Sequence, residues 1–424
     1  MTDLSRRTLF AAGFLGAAAT AAEAQAPPAG VDPARLATDE TYWAKVAGFY
    51  DWPRDVIQLE SGQFGAMARP VATAYEGYLA RINRETTLYT RTTLFDDLAK
   101  VRAKAAAMLG VDTDEIVWTR GGTESMMTLI GGYNHLKPGD AVLYADLDYD
   151  SMQTGMAGMA KARGLKLHTF ALPEPATRQS LIDAYQAQLK AHPDIRLMLL
   201  THLSHRTGLV PPVKEITAMA KARGVDVLLD CGHALGQVEF RLRDLGVEFA
   251  GLNLHKWIGS PVGVGLVYIQ KDRIADIDVN LAEPSSPRID ARVHTGTVNY
   301  AAQLAVSDAI DFHNAVGLAN KAHRMRFLRD RWAEAIRPHP GVEVLTPNDP
   351  DLHAGITSFR FKGQGGAEQV LAVKKALWER YRIFTVERFG PAKGACVRVS
   401  PSFINTPADL DKLVAALRAL APGG

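Results

Sequence analysis

The sequence has few cysteines, little net charge and no apolar run long enough to dominate it. Its 424 residues include two cysteines, Cys231 and Cys396, so stability must come from a large core, and a bridge between the two is not favoured. The formal net charge of +2, without long basic runs, gives no reason to expect nucleic acid or an anionic membrane as partner. Small-molecule chemistry is the favoured class of function.

The first residues differ from the rest of the chain. Ser5, Arg6 and Arg7 precede an uncharged, Ala/Gly-rich run at residues 11–22 and an Ala-Glu-Ala exit at residues 22–24. This order is typical of a cleaved signal, and the arginine pair is typical of the twin-arginine type. The run is shorter than the ~20 residues that span a bilayer. We therefore predict a twin-arginine signal peptide at residues 1–26, export by that machinery and a periplasmic or exported location. An amphipathic N-terminal helix is the alternative.

Short apolar strands alternate with helical stretches through the middle of the chain. The predicted strands lie at residues 116–118, 141–144, 165–167, 196–200, 225–229, 249–252 and 265–269. The stretches between them are rich in Ala, Lys and Arg and end in glycine, as amphipathic helices do. Such alternation predicts an α/β fold with a mostly parallel sheet and helices on both faces. Ligands of such folds bind at the carboxyl ends of the strands.

The last third of the chain changes character. A long helix at residues 301–336 precedes predicted strands at 342–345, 356–361, 382–386 and 395–399, and a helix at 407–420 follows them. This predicts a smaller C-terminal α+β domain at 301–424 beside a large domain at 60–300. Residues 27–59, with a helix at 33–50, would form an N-terminal segment that packs on the small domain.

An acid and a lysine form the most informative pair in the sequence. Asp230 ends the apolar run at residues 225–229, and Lys256 follows 26 residues later. A lysine amine can hold an aldehyde cofactor as a Schiff base, and a buried acid can keep a pyridine nitrogen protonated. These are the requirements of a pyridoxal 5'-phosphate (PLP) enzyme. Most lysines are solvated surface residues, so this interpretation needs further parts of a PLP site.

A glycine-rich turn supplies a candidate phosphate site. Gly122 and Thr123 follow the strand at 116–118 and precede a helix predicted at 125–132. Backbone N–H groups at such a turn, together with the helix N-terminus, favour a bound anion. The alternative is a capping box with Thr123 as the cap. A dinucleotide is excluded here because the pattern G-x-G-x-x-G is absent.

Six short motifs follow one another along the chain. They are Gly121-Gly122-Thr123-Glu124, Ser204-His205-Arg206-Thr207-Gly208, Asp230-Cys231-Gly232-His233, His255-Lys256, Gly296-Thr297-x-Asn299 and Arg398-x-Ser400. In this order and spacing they resemble the class V aminotransferase family of fold-type I PLP-dependent enzymes. The resemblance implies PLP as the cofactor, residues 60–300 as the PLP-binding domain and a small-molecule amino-acid substrate.

The resemblance also implies roles for single residues. Lys256 would hold the cofactor, Asp230 would pair with its pyridine nitrogen, and His233 would bind its phenolic oxygen. The complete set of implied cofactor-binding residues is Gly122, Thr123, Tyr149, Asp230, His233, His255, Lys256 and Thr297. For His233 and His255, a structural histidine satisfied by backbone is the alternative.

Further implied contacts concern phosphate, ring and substrate. Gly122, Thr123 and His255 would hold the phosphate, and Thr297 would reach the phosphate of a neighbouring subunit, which implies a homodimer with two composite sites. The alternative for Thr297 is a helix-start turn.

Tyr149 would stack on the cofactor or be a simple loop tyrosine. His205 stands where relatives commonly carry Asn or Ser. Arg398 would bind the substrate α-carboxylate through its planar fork, or be a surface ion-pair partner.

The reaction stays open among three fates of a Cα proton or its neighbouring bond. Once substrate replaces it on the cofactor, the Lys256 amine is the natural general base, which permits epimerisation, transamination or β-elimination. Cysteine desulfurases need a nucleophilic cysteine upstream of the carboxylate-binding arginine, and residues 387–394 contain none. Cys396, two residues before Arg398, is expected to be structural.

Residues 59–65 are similar to the isopenicillin N epimerase-like branch, although Glu60 and Gln63 depart from its Asn- and Ser-containing version. We predict an epimerase or aminotransferase acting at Cα of an amino acid or amino-acid derivative. A β-eliminating or carbon-sulfur lyase is the first alternative. A PLP-fold protein that binds without turnover, and an exported protein that binds another phosphorylated ligand, are the others.

Overall fold

A computed structural model describes residues 26–423 of the chain. The predicted signal peptide falls on residues 1–26 and so lies, except for its last residue, outside the described residues. Within the described part, no helix combines the length and the apolar character needed to cross a membrane.

A seven-stranded sheet forms the centre of the fold, in the order β2-β8-β7-β6-β5-β3-β4. Strand β8 runs antiparallel to its neighbours β2 and β7, whereas the other pairings are parallel, which confirms the predicted α/β fold with a mostly parallel sheet. The strands are β2 Ile116–Thr119, β3 Ala141–Ala145, β4 Lys166–Phe170, β5 Ile195–Thr201, β6 Asp226–Asp230, β7 Phe249–Asn253 and β8 Gly265–Ile269.

Both faces of this sheet are buried, and alternate residues of one strand serve different cores. In β6, Leu228 packs in the core on one face, while Val227 and Leu229 pack in the core on the other. This follows from the two-residue repeat of a strand, and it explains why the central strands are continuous apolar runs.

The α-helices lie at α1 Pro33–Leu36, α2 Glu40–Ala47, α3 Arg69–Thr92, α4 Leu94–Leu109, α5 Gly122–Gly132, α6 Asp150–Arg163, α7 Arg178–Ala191, α8 Val213–Lys221, α9 Leu242–Leu245, α10 Tyr300–Leu304, α11 Val306–Val316, α12 Leu318–Ile336, α13 Ala367–Tyr381 and α14 Pro407–Leu420. Short 3-10 helices occupy Thr113–Glu115, Lys271–Asp276 and Ile289–Arg292.

A second core lies around a four-stranded antiparallel sheet, ordered β12-β13-β10-β9. Its strands are β9 Val342–Val344, β10 Thr357–Phe361, β12 Val386–Arg388 and β13 Cys396–Val399. Trp332 of α12 and Leu413 of α14 pack against it. Helix α14 begins at Pro407 behind Thr406, whose side chain accepts the Asp409 N–H, and it has the predicted bounds.

Two predicted helices are divided. The predicted helix at 301–336 consists of α10, α11 and α12, because Gly317 adopts a φ of +90° and ends α11. The predicted helix at 33–50 consists of α1 and α2, since the Asp39 side chain accepts the N–H groups of Thr41 and Tyr42 and begins a new helix.

The N-terminal segment contacts both cores. Leu36 and Trp43 pack in the large core, and Leu59 packs in the second core. A two-stranded parallel pair joins β1 Ile57–Gln58 to β11 Ile383–Phe384. Helices α10 and α11 also contribute to the large core. The predicted domain boundaries at residues 59 and 300 stay predictions.

Candidate active site

A cavity of about 840 Å³ opens at the carboxyl ends of the parallel strands. Thr201, Asp230 and Asn253 are the last residues of β5, β6 and β7, and all three line this cavity. The position agrees with the rule that α/β sheets bind ligands beyond the strand ends. It brings together most of the residues selected from the sequence.

Lys256 and His233 meet in the cavity. The Lys256 Nζ lies 3.1 Å from the His233 Nε2. Burial lowers the pKa of the Lys256 ammonium to about 8, although the nearby Asp230 carboxylate opposes this. Burial, and then the Lys256 charge, hold the pKa of His233 well below its usual value. The lysine is therefore close to the neutral form that a nucleophile or base needs.

Asp230 lies buried beside this pair. Its Oδ1 accepts the Gly232 N–H at 2.8 Å, which orients the carboxyl group at the strand end. Burial raises the pKa of Asp230, while the Gly232 bond and Lys256 act in the opposite direction. A protonated ring nitrogen on a bound ligand would compensate this buried charge.

The backbone at Lys256 is fixed by two contacts that the sequence did not indicate. Lys321, buried in α12, donates from Nζ to the Trp257 carbonyl oxygen at 2.6 Å. The Gly65 N–H donates to the His255 carbonyl oxygen at 2.9 Å. A Cβ on Gly65 would lie 2.0 Å from the Lys256 carbonyl oxygen, so this close approach requires glycine.

The glycine-rich turn forms the start of α5. Gly121 is the N-cap and no side chain caps the helix, so the capping-box alternative with Thr123 as cap is wrong. Asn253 Oδ1 instead accepts the Gly122 N–H at 2.6 Å. A Cβ on Gly122 would lie 3.0 Å from Asn253 Nδ2. The turn therefore depends on a small residue at 122 and on Asn253, a residue missed in the sequence.

His255 lies beside this turn. A Cβ on Gly121 would come within 3.3 Å of the His255 Cε1. The His255 Nδ1 is 3.1 Å from the Val264 carbonyl oxygen, which assigns the N–H to Nδ1 and leaves Nε2 directed elsewhere. Gly122, Thr123 and His255 thus line one end of the cavity.

Two rings form another part of the wall. Tyr149, the N-cap of α6, meets His205 edge-to-face, with ring centroids 4.9 Å apart and planes at 86°. Both residues line the cavity, and His205 is buried with its Nδ1 lacking a hydrogen-bond partner among the described residues. Burial is the main cause that holds the pKa of His205 well below its usual value, so the ring is neutral.

Arg398 reaches the cavity from β13, where it is paired with Glu60. The Arg398 Nη2 donates to Glu60 Oε1 at 2.5 Å, and its Nε donates to Glu60 Oε2 at 3.2 Å. Burial lowers the pKa of Arg398 to about 10 against the effect of Glu60. The two residues are 338 positions apart, which is why sequence spacing gave no sign of the pair.

Thr297 is not brought to the cavity of its own chain. It is exposed and follows Gly296, which has a φ of +61°. Its predicted contact with the phosphate of a second subunit stays a prediction.

The residues present fit PLP. A lysine amine, a buried acid and a helix N-terminus surround one cavity, and the buried His233 Nδ1 has no hydrogen-bond partner among the described residues. First-turn N–H groups of a helix have no partners inside the helix and suit a phosphate. Gly122, Thr123 and His255 would hold the phosphate, Asp230 the ring nitrogen and Lys256 the aldehyde carbon.

Comparison with known proteins gives a consistent family. The profile of the class-V aminotransferases matches residues 66–413. The isopenicillin N epimerase of Streptomyces clavuligerus is 28% identical over 397 residues, which cover 89% of this chain and 98% of that protein.

Two solved structures share the fold. The apo cysteine desulfurase of Thermococcus onnurineus NA1 superposes with a TM-score of 0.77 at 20% identity, covering 90% of this chain and 98% of that one. A mutant of C-DES with glycine covalently linked to its PLP cofactor has a TM-score of 0.74 at 21% identity, covering 86% and 96%. The profile match extends over most of the chain, and it confirms both the fold and the cofactor expected from the sequence. The chain therefore belongs to the class-V aminotransferase family of PLP-dependent enzymes.

Proposed function

We propose that this protein acts at Cα of an amino acid or amino-acid derivative, as an isopenicillin N epimerase-like enzyme or an aminotransferase. The observation that carries the proposal is the placement of Lys256 Nζ 3.1 Å from His233 Nε2, at the strand ends beside Asp230. The similarity to isopenicillin N epimerase supports the epimerase alternative.

The residues divide the work by position. When bound, PLP supplies an acceptor for the electrons of a bond broken at Cα. The carboxylate of Asp230 favours a protonated ring nitrogen, and the turn at Gly122 with His255 fixes the phosphate end. The Lys256 Nζ takes the Cα proton, since its lowered pKa of about 8 leaves a usable fraction of free amine near neutral pH. The neutral His233 beside it can accept a hydrogen bond from the lysine.

A β-eliminating or carbon-sulfur lyase is the second candidate. The shared fold with cysteine desulfurases supports it. The cysteines of this chain do not supply the nucleophile of a desulfurase, because Cys396 is buried and burial raises its thiol pKa to about 11. Cys231 is also buried, and the pKa of its thiol is raised well above the usual value. A lyase reaction here would therefore be an elimination that needs no protein thiol.

We also propose that the protein is exported by the twin-arginine machinery and works as a homodimer in the periplasm. The arginine pair Arg6-Arg7 and the Ala/Gly-rich run after it support export. The exposed Thr297, away from the cavity of its own chain, supports a contact across a subunit interface. Size-exclusion chromatography with light scattering, and fractionation of cells that produce the full chain, test these two points.

The proposed reaction is tested by incubating the holoenzyme in deuterated water with a panel of amino acids and their carboxyl-blocked derivatives. Deuterium at Cα with loss of chirality indicates epimerisation, and a carbonyl product with the aminated cofactor indicates transamination. A carbonyl product of elimination with a released thiol or ammonia indicates a lyase. No exchange and no product with any compound would contradict the proposal and favour a binding protein without turnover.

A further inference from the structure

The guanidinium of Arg398 already holds a carboxylate of its own chain. Its Nε and Nη2 donate to the two oxygens of Glu60, at 3.2 and 2.5 Å, in the paired geometry with which arginine binds carboxylates. Its Nη1 donates to the His205 carbonyl oxygen at 2.9 Å. The side chains of Arg398 and Glu60 are 1% and 4% exposed. The fork that would receive a substrate α-carboxylate is therefore filled.

Glu60 is held in this place by the surrounding backbone. The Gly62 N–H donates to Glu60 Oε1 at 3.2 Å. On either side of Glu60, the Ser61 N–H bonds the Ser400 carbonyl oxygen and the Ser400 N–H bonds the Leu59 carbonyl oxygen, at 3.0 and 2.7 Å. Glu60 is thus tied to the segment that directly follows Arg398. Rotating its side chain away would leave two buried charges without partners, which is strongly unfavourable.

The space around the pair is also filled. A Cβ on Gly62 would lie 2.7 Å from Arg398 Nη2 and 3.3 Å from Glu60 Oε1. A second carboxylate would have to enter beside Glu60, where two like charges repel in a poorly solvated wall. A neutral group meets no such repulsion.

Arg388 is the other guanidinium of the small sheet that lines the cavity. Its Nε and Nη1 donate to the carbonyl oxygens of His205 and Glu387, at 3.3 and 3.0 Å. Among the described residues it forms no ion pair. It could therefore attract an anionic part of a substrate, and it is the residue that would hold an α-carboxylate if Glu60 does not prevent one from binding.

We infer that Glu60 is a specificity-determining residue that supplies the carboxylate for Arg398, and that the substrate is a primary amine whose α-carboxyl is absent or blocked. An amino-acid amide and the amino end of a peptide are compounds of this class. The inference rests on the proposed function, because it concerns the amine on which Lys256 acts. It narrows the substrate from amino acids in general to their carboxyl-blocked derivatives.

Binding of L-alanine and L-alaninamide to the holoenzyme tests the inference, followed by the change in visible absorbance of the cofactor. The wild-type protein should bind alaninamide at least about tenfold more tightly than alanine. Equal binding of the two, or tighter binding of alanine that is lost in Arg388→Ala, would overturn the inference. The latter result would place the α-carboxylate on Arg388.

The variant Glu60→Ala provides the complementary measurement. Its affinity for alanine should rise by about tenfold or more, while that for alaninamide should change little, because only the free acid can use the vacated fork. Glu368→Ala, which alters an exposed glutamate on α13, is the matched control and should change neither affinity. If neither compound binds the wild type measurably, the variant decides: a gain for alanine supports the inference, and no gain refutes it.

Acetate separates this inference from the proposed function. Millimolar acetate should raise the thermal midpoint of Glu60→Ala, and not that of the wild type, by occupying the vacated position on Arg398. This readout needs neither cofactor nor turnover. If the variant fails to fold, Glu60→Gln, which keeps the size of the side chain, replaces it in the alanine titration. Acetate stabilisation without any Cα chemistry would contradict only the proposed function, whereas Cα chemistry on free amino acids by the wild type would contradict only the inference.

Discussion

Replacing Lys256 by methionine should stabilise the cofactor-free protein near neutral pH. Burial lowers the pKa of the Lys256 ammonium from 10.5 to about 8. A difference of this size corresponds to about 3 kcal/mol of unfavourable free energy for the charged form in the folded state. Methionine has a similar length and no charge, so the free energy of unfolding should rise by up to about 3 kcal/mol at pH 7. Loss of the attraction between Lys256 and Asp230 is the reason that this is an upper limit.

The pH dependence gives the sign of the effect. Below pH 8 the lysine is charged in both states, and the folded state bears the full penalty. Between pH 8 and 10.5 the folded protein has lost this proton while the unfolded chain still binds it, so the free energy of unfolding of the wild type should rise with pH. The variant lacks this rise, and the two proteins should converge in stability as the pH increases.

Urea unfolding of the cofactor-free proteins at a series of pH values between 7 and 10 measures both effects, with Lys412→Met on the exposed face of α14 as control. The reasoning is refuted if Lys256→Met is less stable than the control variant at pH 7 and shows the same pH dependence as the wild type. Such a result would mean that the Lys256 ammonium is well compensated in the folded state.

Two further predictions concern the support of the site. Gly65→Ala should abolish retention of the cofactor, because its Cβ would lie 2.0 Å from the Lys256 carbonyl oxygen, whereas Gly77→Ala, whose Cβ meets no atom within 4 Å, should retain it; equal visible absorbance of the two purified variants would contradict this. Glu60→Ala should lower the free energy of unfolding by about 3–5 kcal/mol because it leaves Arg398 buried and unpaired. The double variant Glu60→Ala with Arg398→Ala should recover part of this loss, and additive losses in urea unfolding would contradict the coupling.

Local patterns in the sequence predicted much of the fold. The apolar runs that became β5 and β6, and the capped helix α14, follow from hydrophobic spacing and from Thr406 and Pro407, which act within a few residues. The direction of β8 could not be read in this way, because its pairing with β2 is decided by contacts between distant parts of the chain. Helix breaks at Asp39 and Gly317 were missed because the apolar spacing continues across them.

The candidate site was predicted where its residues lie within motifs, and missed where they act across the chain. Lys256, Asp230 and Gly122 stand in recognisable segments. Glu60 and Lys321 do not, since their partners Arg398 and Trp257 are 338 and 64 residues away. Their roles depend on burial and on the packing of the two cores against each other, which no local pattern encodes.

The claim that Lys256 is the cofactor lysine is the centre of this account, and the chain contains a competitor. Lys321 is also buried, and burial lowers its pKa to about 7. Its amine, however, donates to the Trp257 carbonyl oxygen and lies 2.9 Å from His313 Nδ1, and it does not line the cavity. Reduction of the holoenzyme with borohydride fixes PLP on the lysine that holds it, and peptide mass spectrometry identifies that residue. The account predicts the cofactor mass on the peptide that contains Lys256, and finding it on Lys321 or on no lysine would contradict it.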